Sequence, residues 1–135
     1  NKVQQIPHSL ALFDDVLPTL DMLKLKGLTL GVLSNITRNI DVLSQEMGLE
    51  PYLDFTITSG EVGAGKPHAP IFLAALERAG VESHEALHVG DSYSSDIMGA
   101  RGVSIRALLL DRDGLHTNVT DCPRIGSLME VMEYL

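Results

Sequence analysis

Three apolar runs, at residues 28–33, 86–90 and 105–110, constrain this chain most, because each is hydrophobic almost throughout and each stops at polar residues. A strand covered on both faces reads this way, whereas a strand with one wet face alternates. Segments with helical spacing lie between the runs. Residues 14–27 are predicted helical: Asp14 and Asp15 suit the N-cap, Pro18 falls in the first turn, Val16, Leu20 and Leu23 share a face, and Gly27 ends it. A second helix is predicted over about 37–47, with Ile40, Leu43 and Met47 on one face before Gly48. Residues 55–58 read as a short strand, 59–70 as a Gly/Pro-rich loop and 70–79 as a helix. Further helices are expected over about 94–101 and across Leu128, Val131, Met132 and Leu135. Strands alternating with helices predict a Rossmann-like three-layer α/β/α fold, a parallel sheet with helices on both faces.

The 135 residues, 44% of them hydrophobic, suit one domain spanning 1–135 with a core that needs neither disulfides nor a structural metal. A net charge of -8 and 4% aromatic residues exclude the basic footprint and stacking platforms of nucleic-acid binders, and argue against an anionic membrane as partner. Cys122 is the lone cysteine, and the sequence has neither an 18-residue apolar run nor a basic-then-apolar signal segment at its start. Those features make a cytoplasmic location the expectation. An anionic substrate would be repelled by such a surface unless a local cation or metal reversed the field in the site.

In parallel α/β sheets functional residues gather at the carboxyl ends of the strands. That rule selects Ser34 and Asn35, the 59–70 loop with Lys66, then Asp91, Ser92 and Asp96, and finally Asp111 and Asp113. Gly90-Asp91-Ser92-Tyr-Ser-Ser-Asp96 puts one carboxylate at a strand tip and another at a helix opening, which suits magnesium. It equally suits a helix N-terminus, capped by Asp91 or Ser92 with Asp96 in the first turn. Ser34 and Asn35 could point a hydroxyl and amides at a phosphoryl oxygen, or simply cap the next helix. Lys66, held extended by Pro67, could neutralise a phosphate or be a solvated loop lysine. Gly60-Glu-Val-Gly-Ala-Gly65-Lys66 satisfies seven positions of the nucleotide-triphosphate loop pattern. Pro67 stands where that pattern needs a hydroxyl, which disfavours a nucleotide triphosphatase.

Taken together, these motifs resemble the haloacid dehalogenase superfamily, in its phosphatase-like branch whose helical cap lies between the first and second motifs. Leu-Ser34-Asn35 looks like the second motif, Gly65-Lys66-Pro67 like the third, and His-Val-Gly90-Asp91-Ser92-x-x-x-Asp96 followed by Ile-Met-Gly-Ala-Arg like the fourth. The resemblance covers about residues 12–114. It implies that Ser34 and Asn35 bind the phosphoryl group, that Lys66 positions phosphate and nucleophile, and that Asp91 and Asp96 hold Mg2+, with Lys66 and Asp91 catalytic. It also implies a small phosphate monoester as substrate and an aspartyl-phosphate intermediate. The Gly90-Asp91-Ser92 form of the fourth motif sides with phosphatases, since the dehalogenase branch lacks it and uses no metal.

The family nucleophile sits in an Asp-x-Asp-like motif on a strand that precedes the cap. The sequence places it outside this chain, with residues 1–12 reading as the return from a cap and Asp14-Asp15 as a helix cap. Leu108-Leu-Leu-Asp111-Arg-Asp113-Gly114 has the look of the missing motif, but reads better as a turn at the sheet edge. The central slot of the sheet is therefore expected to have no local occupant and to be filled by a complementing N-terminal segment or by a strand-swapped homodimer. The other readings of the chain are a non-catalytic phosphate- or metal-binding or interaction fragment. Among the remaining residues, His88 reads as packed against the site rather than as a base, and His8, His68, His84 and His116 read as surface groups.

Overall fold

A computed structural model describes residues 2–3, 15–35 and 50–135. Six parallel strands form one sheet in the order β3-β2-β1-β4-β5-β6, with β1 Lys2–Val3, β2 Gly31–Ser34, β3 Phe55–Thr58, β4 Leu87–Gly90, β5 Arg106–Leu110 and β6 Arg124–Ile125. Helices cover both faces, so the predicted three-layer parallel fold is the observed one. Helix α1 (Val16–Leu25) and a 3-10 helix over Leu128–Tyr134 lie on one face, where Leu20, Leu23, Leu87, Val89, Leu108 and Leu110 share a core. Helices α3 (Ala69–Ala79) and α4 (Met98–Gly102) lie on the other, where Ile71, Phe72 and Ala100 meet Leu33, Ile57, Ala107 and Leu109. Leu108 and Leu110 thus point one way and Ala107 and Leu109 the other, as the two-residue period of a strand requires. Among the described residues no helix is long and apolar enough to cross a membrane.

The structure departs from the sequence reading at the sheet centre. Lys2 pairs with Gly31 on one side and with His88 on the other, and Val3 pairs with Val89. The central slot thus has a local occupant, two residues from the start of this chain, where none was expected. Those two residues are all that is described of the segment read as a return from a cap. Strand β5 lies on the far side of β4, away from the slot, so Asp111 does not stand where a central strand would place a nucleophile.

Smaller differences have local causes. Strand β2 starts at Gly31 rather than residue 28, because Asp54 claims the preceding backbone: its Oδ2 accepts from Leu30 N at 2.8 Å and its own N donates to Leu30 O. Residues 59–62, read as loop, form a one-turn helix α2 (Ser59–Val62), whose Glu61 N donates to the Thr58 hydroxyl. Asp15 stands at the α1 N-cap position but makes no cap bond; its carboxylate accepts instead from Arg112 and from Leu128 N, tying α1 to the last helix. The helix predicted over 37–47 lies outside the described residues.

Candidate active site

The strand ends bring three distant segments to one rim. Asn35, just past β2, grips the backbone of Lys66 with both ends of its amide: Oδ1 accepts from Lys66 N at 2.8 Å and Nδ2 donates to Lys66 O at 3.0 Å. Gly65 permits this contact, since a Cβ there would lie 2.6 Å from Asn35 Oδ1. The peptide bond between Lys66 and Pro67 is cis, and the Lys66 side chain runs inward.

The Lys66 ammonium donates to Asp96 Oδ1 at 2.9 Å, in an ion pair whose side chains are 5% and 1% exposed. Asp96 belongs to a π-helical turn, Tyr93–Ile97, that follows β4 and leads into α4. Such a turn is a frequent feature of functional sites. Ser92 anchors the turn, its hydroxyl accepting from Ser95 N and its carbonyl from Asp96 N. The Asp96 carboxylate folds back over β4, where Oδ2 accepts from Ser92 N at 3.1 Å and Oδ1 meets His88 Nε2 at 3.0 Å. Gly90 leaves room for it: a Cβ there would come 2.1 Å from the Asp96 carboxyl carbon, closer than any packed pair of carbons.

Burial opposes the Asp96 charge, but the His88 hydrogen bond and the Lys66 charge outweigh it and hold this carboxyl below the ordinary aspartate range. Burial likewise lowers the Lys66 pKa, while Asp96 and then Asp91 act to keep its charge on. The 2.9 Å contact and the lowered Asp96 carboxyl are those of an ion pair formed against the cost of burial. Asp91 is the opposite case. Lost hydration of the carboxyl and then the charge of Asp96 push it above the ordinary range, only partly offset by a hydrogen bond with its own backbone and by Lys66 and His116. The residue as a whole is exposed, at the mouth of the site.

The donor set bears directly on a metal. Among the described residues no group of three His, Cys, Asp or Glu side chains is placed to hold one. Magnesium does not need such a cage, since one or two carboxylates with water and phosphate oxygens suffice. Asp91 fits that role, being exposed at the end of β4 and near the charge of Asp96. Asp96 fits it less well, because three protein donors already claim it and it is almost wholly enclosed.

Lys66 and Asp96 are therefore in direct contact, Asp91 lies within reach of both charges, and Asn35 acts on Lys66 through its backbone. Ser34 stands at the same rim, in register with Thr58, with no hydrogen bond to Lys66, Asp91 or Asp96 among the described residues. His116, read as a surface group, is half-buried on the loop after β5, at a strand's carboxyl end. Asp111 takes no part in the site. Its carboxylate accepts from Leu115 N and His116 N, and from Arg124 at 3.3 Å, which closes the turn after β5. A separate open groove, which Ile105, Arg106, Cys122 and Tyr134 help to line, lies at the opposite end of β5, away from these carboxylates.

Residues 1–103 match the haloacid dehalogenase-like hydrolase family. The chain is 39% identical over 103 residues to a haloacid dehalogenase-like hydrolase domain-containing protein 3 of Xenopus laevis, covering 76% of this chain and 42% of that protein. It is 33% identical over 134 residues to a glyceraldehyde 3-phosphate phosphatase of Methanothermobacter thermautotrophicus, covering 91% of this chain and 58% of the relative. Among solved structures, a 2-haloacid dehalogenase from Pseudomonas syringae superimposes with a TM-score of 0.81 at 35% identity, over 91% of this chain and 52% of that one. The chain thus spans about half the length of the proteins it matches.

Proposed function

The chain belongs to the haloacid dehalogenase-like hydrolases, and from that premise we propose that it carries the phosphate- and magnesium-binding half of a phosphatase acting on small phosphate monoesters. The observation that supports this most is the buried Lys66–Asp96 pair set beside the exposed, charge-strained Asp91. Such a site favours a dianionic ligand on the lysine side together with a divalent cation on the carboxylate side. When bound, magnesium would neutralise charge on the phosphoryl oxygens. Lys66 would hold the phosphoryl group, with Asn35 fixing the lysine's backbone and Ser34 offering a hydroxyl at the rim. The nucleophilic aspartate that the family reaction uses would come from outside this chain, as part of the whole enzyme or as a complementing segment.

The similarity to a 2-haloacid dehalogenase favours a second reading, in which the substrate is a halogenated acid and no metal takes part. The two readings differ in what they bind. Calorimetry with inorganic phosphate in the presence and absence of Mg2+ is expected to show magnesium-dependent binding, lost in Lys66→Ala and Asp91→Asn. Binding of 2-chloropropionate with no effect of Mg2+ would reject the phosphatase reading. Turnover of an aryl phosphate by the chain alone is expected to fall a thousand-fold or more below that of a complete enzyme, as about that much is lost with a nucleophile. Magnesium-dependent turnover abolished by Asp111→Asn would overturn that expectation.

A further inference from the structure

The alternation of β4 points residue 88 into the face where Phe72 and Ala100 pack, beside the apolar strand residues Leu33, Ile57, Ala107 and Leu109. His88 is completely buried at that point. The Phe72 ring stands edge-on to its imidazole, with centroids 5.2 Å apart and planes at 83°. Its Nε2 faces Asp96 Oδ1 at 3.0 Å, the same oxygen that receives the Lys66 ammonium. An ionised carboxylate can only accept, so Nε2 carries the proton and donates it. A polar ring in an apolar layer costs stability unless it is hydrogen-bonded, and the hydrogen bond of this ring runs from Nε2 to Asp96. A role in packing alone therefore does not account for histidine at this position.

We propose that His88 is a positioning residue: by donating to the oxygen that also receives Lys66, it fixes the rotation of the Asp96 carboxylate and hence the direction in which the Lys66 ammonium meets a bound phosphoryl group. The carboxylate has three anchors. Ser92 N holds Oδ2, His88 holds Oδ1 from the sheet, and Gly90 supplies the flat wall behind it. Without His88 the remaining donors are Ser92 N and the flexible lysine, and the carboxylate can turn about its bond with the lysine following. The direction of one ammonium matters because a charged hydrogen bond weakens steeply with angle. His88 thus links the core layer, through Phe72, to the geometry of phosphate capture.

This inference rests on the phosphatase reading only for the nature of the ligand, and the test separates the two. The full chain, with 15N-labelled lysine, is prepared as wild type, His88→Leu, His88→Gln and His88→Asn. Glutamine can present an N–H near the position of Nε2, asparagine is too short to reach Asp96, and leucine removes the donor while keeping apolar volume. The Lys66 ammonium correlation, assigned by its loss in Lys66→Arg, is expected to be visible in wild type and His88→Gln, and shifted or lost to solvent exchange in His88→Leu and His88→Asn. Affinity for inorganic phosphate with Mg2+ is expected to fall about tenfold in the latter two and to recover in His88→Gln, about what one charge-assisted hydrogen bond contributes. An unchanged Lys66 signal in folded His88→Leu overturns the proposal. Should that variant fail to fold, equal Lys66 signals in His88→Gln and His88→Asn overturn it. A wild type that binds no phosphate sinks the phosphatase reading, while the Lys66 signal still decides the role of His88.

Discussion

Two neighbouring strands, β4 and β5, end in aspartate-bearing turns, and the turns use their carboxylates differently. Asp111 accepts from amides four and five residues ahead in its own turn, and from Arg124 on the next strand. Asp96 accepts from Lys66, 30 residues away, and from His88, eight residues back across the strand end. Both carboxyls sit below the ordinary aspartate range. For Asp111 the groups that outweigh burial are chiefly the amides of His116 and Leu115, and for Asp96 they are His88 and Lys66. Local donors make a turn, which closes on itself. Donors brought from separate elements make a site, because each has been fixed independently of the ligand they share.

The comparison breaks most visibly at Asp96. Replacing it by alanine leaves the Lys66 ammonium buried without its partner, and urea unfolding is expected to show a loss of about 3–5 kcal/mol. Asp111→Ala is expected to lower the thermal midpoint less and to leave phosphate binding with Mg2+ intact, since its donors stay near solvent. Should Asp111→Ala abolish that binding, the division between turn and site is wrong.

The smallest expected effect has the opposite sign. The Asp91 carboxyl is raised in the folded chain, so the fold prefers it neutral and its ionisation above the ordinary value of 3.8 works against stability. Asp91→Asn is expected to raise the midpoint by about 1–3 °C at neutral pH while removing the Mg2+ effect on phosphate binding. The gap from wild type should narrow as the pH falls towards 3.8 and be closed below it. Asp96 has the reverse sign: its depressed pKa gives stability that is present above its unfolded value and lost as the pH falls through the folded one. Thermal melts of wild type and Asp91→Asn across this range measure both.

The sequence made the apolar strands legible because burial on both faces leaves a continuous hydrophobic run. Leu108, Leu109 and Leu110 are buried in alternation against two layers, as their pattern foretold. The pattern could not reveal β1 or β6, each two residues long, because periodicity needs several residues to register. Nor could it reveal the π-helical turn, which depends on where Asp96 finds its partners. Of the candidate site, Lys66 and Asp96 were readable through their motifs, yet the contact between them crosses 30 residues and no spacing rule predicts it. Asn35 was readable as a strand-end residue but not as the clasp on Lys66, whose sequence trace is only the glycine at position 65.

The two residues of β1 have a consequence for the order in which this sheet can assemble. Among the described residues they alone join β3 and β2 to β4, β5 and β6 by hydrogen bonds. Lys2 lies about as near to Gly31 in sequence as Gly31 does to Phe55, so β1, β2 and β3 can form one half-sheet and β4 and β5 the other from short-range pairings. The pairing of Lys2 with His88 spans far more of the chain and makes few hydrogen bonds, so it is the step that closes the middle of the sheet. Amide exchange of Val3 and its neighbours across the ladder would then report the late joining of two early-formed halves.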